Sequence, residues 1–208
     1  MKNVFAVVLL LLYAAHAQTA SPTPTVPKMA DANPDVVQIA IQDQWDRGND
    51  MFGGKQIAPP DRHGKSVAER DEERQAAIRK LLSEGKLRSG TDFWLAALIF
   101  QHSSKSQDVM LAHILAVTAT AKGSANGKWL SAATLDRYLW DVSQPQVFGT
   151  QFKKDAQGKW TMEPYAREAL SDAERAIWCV VPLNRQETIL KESNEGKPLA
   201  ATGVDDCK

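Results

Sequence analysis

The sequence has few of the residues that build disulfide frameworks or metal sites. Its 208 residues include only two cysteines and four histidines. Two cysteines exclude a small fold held together by several disulfides. His102 and His113 are separated by 11 residues, without the i, i+4 spacing of a helical metal-binding pair. We therefore expect neither a metal ion nor another cofactor.

The chain also lacks an excess of charge of one sign. Its 25 Lys and Arg residues balance 25 Asp and Glu residues. Binding to nucleic acid or to an anionic membrane surface calls for clustered Lys and Arg, so the composition argues against both partners. An apolar fraction of 43% is ordinary for a chain that buries a core, and it excludes disorder of the whole.

Long hydrophobic runs are missing except at the N-terminus. There Lys2 precedes an apolar run over residues 4–15, and Ala15-His16-Ala17 has the small-x-small pattern of a cleavage site. The run of about a dozen residues is shorter than the ~20 that span a membrane. We predict a cleaved signal peptide over 1–17, without a stable membrane anchor, and a periplasmic or secreted protein. Residues 18–34 are predicted to be a Pro-rich linker, and residues 35–208 a single helical domain.

Capping signals and apolar periodicity predict a mainly α fold of antiparallel helix pairs. Ser66 and Glu69 have the spacing of a capping box that opens a helix running to Gly85, with its charged half, residues 69–75, in solvent. Other helices are predicted from Asp35, from Thr91, from Ser106 to Gly123, from about Lys128 to Ser143, and from Ser171 to before Pro182. The turn-like segment Asp155–Gly158 predicts one short β-hairpin.

A short internal echo places polar residues together. Trp94-Leu95-Ala96-Ala97 recurs 35 residues later as Trp129-Leu130-Ser131-Ala132, close to the period of helix-pair repeats. If the echo is structural, the two helices are roughly parallel neighbours, with the 106–122 helix between or behind them. We then expect the dyad at its end, Gln101-His102, to lie beside the equivalent dyad, Asp136-Arg137.

These dyads supply the candidate site. His102 and Asp136 would form an acid–base pair, and Arg137 would bind Gln101 or an anion. The following loop over residues 144–151 adds three further candidate binding residues, whose polar groups line a groove or satisfy loop carbonyls: Gln146, Thr150 and Gln151.

The same residues carry a resemblance. The ordered set Gln101-His102, Asp136-Arg137 and Gln146-Val147-Phe148-Gly149-Thr150-Gln151 resembles the signature of an uncharacterised bacterial family, a domain of unknown function. The resemblance covers roughly residues 90–180. It implies a bacterial origin and a mostly helical domain, and it supplies no activity.

The two cysteines allow two interpretations. An oxidising compartment permits a disulfide between Cys179 and Cys207. Alternatively, Cys179 is a buried thiol within the apolar run 177–181, and Cys207 lies in a frayed tail. Neither has the setting of a catalytic thiol.

Three functions remain open from the sequence. The favoured one is a non-catalytic binding or interaction module, whose polar groove takes an unknown small molecule or protein partner, because no recognisable nucleophile or phosphate-binding Gly loop is present. The second is a hydrolase with His102 as general base, oriented by Asp136, and with Arg137 stabilising negative charge. The third is a purely structural helical protein. Whether the chain is an enzyme is left undecided.

Overall fold

The computed structural model describes residues 29–48 and 64–203. Within these ranges the chain is mainly helical, with one two-stranded antiparallel hairpin, which confirms the predicted fold class. The predicted signal peptide 1–17, most of the predicted linker and Cys207 lie outside the described residues.

The described elements follow the chain in a simple order. The helices are α1 (Pro34–Asp46), α2 (Val67–Ser83), α3 (Gly90–Phe100), α4 (Ser106–Ala121), α5 (Ala125–Asp141), α6 (Asp172–Ile177) and α7 (Leu183–Asn194). Strands β1 (Lys153–Lys154) and β2 (Trp160–Thr161) form the hairpin between α5 and α6, with Lys153 paired to Thr161.

Reciprocal caps start three of these helices. The capping boxes predicted at Ser66 with Glu69 and at Ser171 with Glu174 are both confirmed. A third box, Ser89 with Asp92, opens α3 at Gly90, slightly before the predicted start. In each box, the serine hydroxyl and the carboxylate satisfy backbone N–H groups that a helix leaves unpaired in its first turn.

The core forms around α3 and α4. Residues 94–100 of α3 are all buried, as predicted for a helix enclosed on most sides. Helix α4 packs against both α3 and α5, and α3 also contacts α5. Gly127 makes the α4–α5 approach possible, because a Cβ there would lie 2.6 Å from Oγ1 of Thr120. The three helices thus adopt the neighbour arrangement that the internal echo predicts.

The C-terminal part closes over α5. Val180 forms an isolated antiparallel bridge with Gly203, and Gly203 lies against the Trp129 ring. Cys179 is buried and disulfide-bonded. Because Cys207 lies outside the described residues, its pairing with Cys179 stays a prediction.

The folded part begins before Asp35. Met29 packs against the core, and Pro34 is the first residue of α1. In the described ranges, no helix combines the length and the apolar character needed to cross a membrane.

Candidate functional site

The buried face of α1 changes from apolar to charged toward its C-terminus. Val36 and Ala40 are fully buried in the core, and the next position on the same face is Asp43, which is also 0% exposed. A buried carboxylate must be paired and hydrogen-bonded, because an unpaired charge in the interior costs several kcal/mol. Asp43 therefore requires hydrogen-bonding partners at this end of α1.

Three side chains approach the Asp43 carboxylate to within 3.2 Å, and Nε of Arg74 lies 3.7 Å from its Oδ1. Nη1 of Arg47 lies 2.8 Å from Oδ1 of Asp43, and Nε2 of Gln44 donates to Oδ2 over 2.7 Å. From the end of α3, Nδ1 of His102 lies 3.2 Å from Oδ1. A carboxylate oxygen accepts hydrogen bonds, so the tautomer that forms this contact is the one with its proton on Nδ1.

A network of ion pairs joins α1 to α2 around this contact. Arg70 and Arg74 both bind Asp46, with N···O distances of 2.7 and 2.8 Å. Asp71 accepts from Arg74 and, over 2.8 Å, from Arg47. Burial alone would raise the pKa of Asp46, but hydrogen bonds from Arg70 and Arg74 and their charges outweigh it and hold the pKa below its ordinary value.

This network corrects the expectation for the charged half of α2. Residues 69–75 were predicted to face solvent, yet four of them are buried: Arg70, Asp71, Arg74 and Gln75. They are buried because the acids and the arginine of α1 neutralise their charges. Only the C-terminal half of α2, with Ile78 and Leu81, packs in the apolar manner predicted.

A recess of about 90 Å³ opens beside His102. We name it the His102 recess; it is lined by Ala68, Asp71, Glu72 and Gln75 of α2 and by residues 102–105. One fifth of the His102 side chain is exposed. Its Nε2 makes no hydrogen bond to any described residue. In the tautomer that donates from Nδ1 to Asp43, the unshared electron pair lies on Nε2, where it can accept a hydrogen bond from a ligand.

His102 and Asp136 are not brought together, which corrects the acid–base pair expected from the sequence. Both oxygens of Asp136 are occupied within the loop that follows α5. Oδ1 accepts from the backbone N–H of Val147 and of Phe148, and Oδ2 accepts from the backbone N–H and hydroxyl of Thr150, all over 2.7–2.9 Å. Burial raises the pKa of Asp136, and these hydrogen bonds act in the opposite direction.

The two glutamines of the loop are structural in the same way. Gln146, which is 0% exposed, donates to the carbonyls of Gln151 and Met162 and accepts from the N–H of Gln151. Nε2 of Gln151 donates to the carbonyl of Ala133. We name Asp136, Gln146, Thr150 and Gln151 the loop clip. Its polar atoms satisfy backbone groups of the loop and of its neighbours.

Buried Arg175 completes the clip from the other side. Its Nη1 donates to the carbonyl of Phe148 over 2.7 Å, and Nε2 of Gln186 donates to the same oxygen. Gly149 has a φ of +72°, and a Cβ there would lie 2.8 Å from both Gln186 and Tyr165, so this position requires glycine.

The remaining candidates lie apart from the recess lining. Arg137 is half-buried on α5, and its Nε has no hydrogen-bond partner within the described residues. Gln101 is the C-cap residue of α3, next to His102. Within residues 29–48 and 64–203, no group of three or more His, Cys, Asp or Glu side chains is placed to hold a metal ion.

Sequence reasoning missed most of the residues around His102. The signal lay in two complementary spacings, Asp43-x-x-Asp46-Arg47 on α1 and Arg70-Asp71-x-x-Arg74 on α2. Asp46 and Arg47 follow Asp43 at i+3 and i+4, and Arg74 follows Asp71 and Arg70 at i+3 and i+4, so each set lies on one helical face. Two such faces of balanced charge can bury each other, although neither has an apolar stripe to indicate burial.

Fold and site together define a helical protein with a buried ion-pair network and a His–Asp pair at the rim of a polar recess. Comparison with protein-family models, with curated proteins and with solved structures found no match to this chain. The resemblance to an uncharacterised bacterial family therefore stays a prediction.

Proposed function

We propose that the protein is exported and binds a small polar ligand in the His102 recess, with Nε2 of His102 as the central contact. The observation that carries the proposal is the hydrogen bond between Nδ1 of His102 and buried Asp43, which fixes the imidazole while Nε2 stays unbonded among the described residues. A side chain held in place before binding loses little rotamer entropy when a ligand arrives.

Electrostatics also favour a ligand site over a purely structural role. Asp43 already has Arg47 and Gln44 as partners, so His102 is not required to neutralise it. Seven of the eight residues that line the recess have polar side chains, and they include charges of both signs, Asp71, Glu72 and Lys105. These side chains supply hydrogen-bond donors and acceptors for a polar ligand.

The proposal is tested by thermal unfolding of the purified protein with L-alanine, dialanine, glucose, N-acetylglucosamine and uridine. We expect at least one of these compounds to raise the melting temperature, by about 5 °C or more at 100 times its Kd. His102→Ala should abolish the shift. Arg137→Ala, which changes a residue outside the recess, should retain it. No shift with any compound, or a shift that survives in His102→Ala, would contradict the proposal.

Hydrolysis is the second candidate function, favoured by the same orientation of His102. A general base needs an unprotonated nitrogen directed to the reactant, and a buried carboxylate on the other nitrogen stabilises the imidazolium that forms. Asp43 would take the orienting role that the sequence suggested for Asp136. If the protein hydrolyses dialanine or p-nitrophenyl acetate, His102→Ala should lower the rate by about 10²-fold or more. Equal rates in the two proteins would exclude this mechanism.

A further inference from the structure

A second recess continues the first along α2. It has a volume of about 330 Å³ and ends at the ion pair between Arg79 and Asp108. Three residues line both recesses: Glu72, Gln75 and Lys105. The two recesses therefore form one groove, running from His102 to Arg79.

The volumes of the two recesses can be compared with those of known ligand sites. Small-molecule sites typically have volumes of ~300 to 1,000 Å³. The 90 Å³ recess beside His102 is below that range, whereas the 330 Å³ recess falls within it. A ligand of that size that contacts His102 therefore also occupies the second recess, beyond Gln75.

Gln75 is the polar group at the junction. It is only 6% exposed, yet its side-chain amide makes no hydrogen bond to any described residue. The amide is not among the buried polar groups that lack a partner, so it is open to the recess and available to a ligand. An amide both donates and accepts, so the group that satisfies it best presents a carbonyl and an N–H side by side.

Two charges flank Gln75 without partners. Glu72 on α2 and Lys105 before α4 are exposed, and the side chain of neither forms an ion pair or hydrogen bond to a described residue. The neighbouring charges of the groove are engaged, Asp71 with Arg47 and Asp108 with Arg79. Among the described residues, the groove thus offers one free anion and one free cation, with the open Gln75 amide beside them.

We infer that the ligand of this groove is a short peptide with free ends. Its peptide group pairs with the Gln75 amide, its ammonium group lies at Glu72, and its carboxylate lies at Lys105. This inference rests on the proposed function, because it identifies the ligand of the same site. No residue lining the two recesses is Phe, Tyr or Trp, which disfavours a nucleobase held by aromatic stacking.

The test is calorimetric titration of the purified protein with dialanine, N-acetyl-dialanine and dialanine amide. Unblocked dialanine should bind most tightly, and blocking either end should weaken binding about threefold, as for an exposed ion pair. Gln75→Ala should weaken all three peptides about tenfold, which corresponds to ~1.4 kcal/mol. Gln107→Ala, an exposed glutamine of α4 outside the groove, is the matched control and should bind like wild type.

Charge variants assign the direction of the peptide. Lys105→Met should weaken the binding of unblocked dialanine about threefold and leave the binding of dialanine amide unchanged. Glu72→Gln should weaken the binding of unblocked dialanine about threefold and leave the binding of N-acetyl-dialanine unchanged. Glu73→Gln, beside Glu72 but outside both recesses, controls for loss of a charge on α2. Lys105→Met and Glu72→Gln should keep the wild-type melting temperature, because both side chains are exposed and bind no described residue.

The outcomes separate this inference from the proposed function. If the variants at Gln75, Glu72 and Lys105 all bind dialanine with wild-type affinity, the inference is overturned. If dialanine fails to bind while another compound of the thermal panel stabilises the wild type but not His102→Ala, the inference is also overturned and the proposed function stands. If no compound binds, both are rejected.

Discussion

Nδ1 of His102 lies 3.2 Å from Oδ1 of Asp43, although 59 residues separate the two in the chain. This contact joins the end of α3 to the end of α1 and leaves Nε2 of the imidazole at the recess. It also replaces the pairing of His102 with Asp136 that the internal echo suggested. The two alternatives make opposite energetic predictions.

A double-mutant cycle on the free energy of unfolding distinguishes them. Asp43→Ala and His102→Ala should be coupled by about 0.5–3 kcal/mol, because the two side chains are in direct contact. Asp136→Ala and His102→Ala share no partner and should add within ~0.5 kcal/mol. Coupling of His102 to Asp136, with additivity toward Asp43, would contradict the contact.

The ion-pair network predicts a stability loss in acid. The folded-state pKa of Asp46 lies below its ordinary value of 3.8, so the folded state releases this proton more readily than the unfolded state. The contribution of Asp46 is therefore fully present above pH ~4 and is lost as the pH falls through the folded-state pKa. Urea unfolding should show Asp46→Asn to be about 3 kcal/mol less stable than wild type at pH 7.

That difference should shrink steadily below pH 4. Glu168→Gln, an exposed carboxylate outside the network, should stay within ~0.5 kcal/mol of wild type at pH 7. A difference between Asp46→Asn and wild type that is the same at pH 7 and pH 2 would show that ionised Asp46 does not stabilise the fold.

The loop clip should stabilise the folded state, so that breaking its hydrogen bonds lowers the free energy of unfolding. Asp136→Asn replaces one acceptor oxygen by an N–H₂ group, which cannot accept from the N–H of Thr150. We expect a loss of about 3 kcal/mol and faster hydrogen exchange of the Val147, Phe148 and Thr150 amides. Asp141→Asn, at the exposed end of the same helix, is the matched control and should change neither. Unchanged exchange in Asp136→Asn would contradict the clip.

The helical fold could be predicted because its signals are local. Capping boxes such as Ser66 with Glu69 and the apolar segment 93–100 depend on neighbours within one or two turns. The site could not be predicted from the sequence, because the burial of Asp43 and Arg74 becomes evident only when α1 and α2 are placed face to face. The residues of the loop clip were noticed as polar and clustered, but sequence does not distinguish an amide that binds a ligand from one that binds a backbone carbonyl.

The two cysteines predict a disulfide that stabilises the exported protein. Pairing of Cys179 with Cys207 would close a loop of about 28 residues and stabilise the fold by about 3 kcal/mol through the unfolded state. Thiol counting under denaturing, non-reducing conditions should find no free thiol in protein recovered from the exported fraction. Two free thiols there would refute the pairing.

N-terminal sequencing of the same sample should give a sequence that begins at or near Gln18, whereas an intact Met1 on membrane-associated protein would refute the export signal.

The most direct test of the central claim is ¹⁵N NMR of the His102 imidazole while each compound of the thermal panel is titrated in. If the recess beside His102 is the ligand site, the compound that stabilises the protein should shift the Nε2 resonance. The Nδ1 proton should remain bonded to Asp43 throughout. Stabilisation by a compound that leaves both nitrogens of His102 unchanged would contradict the account.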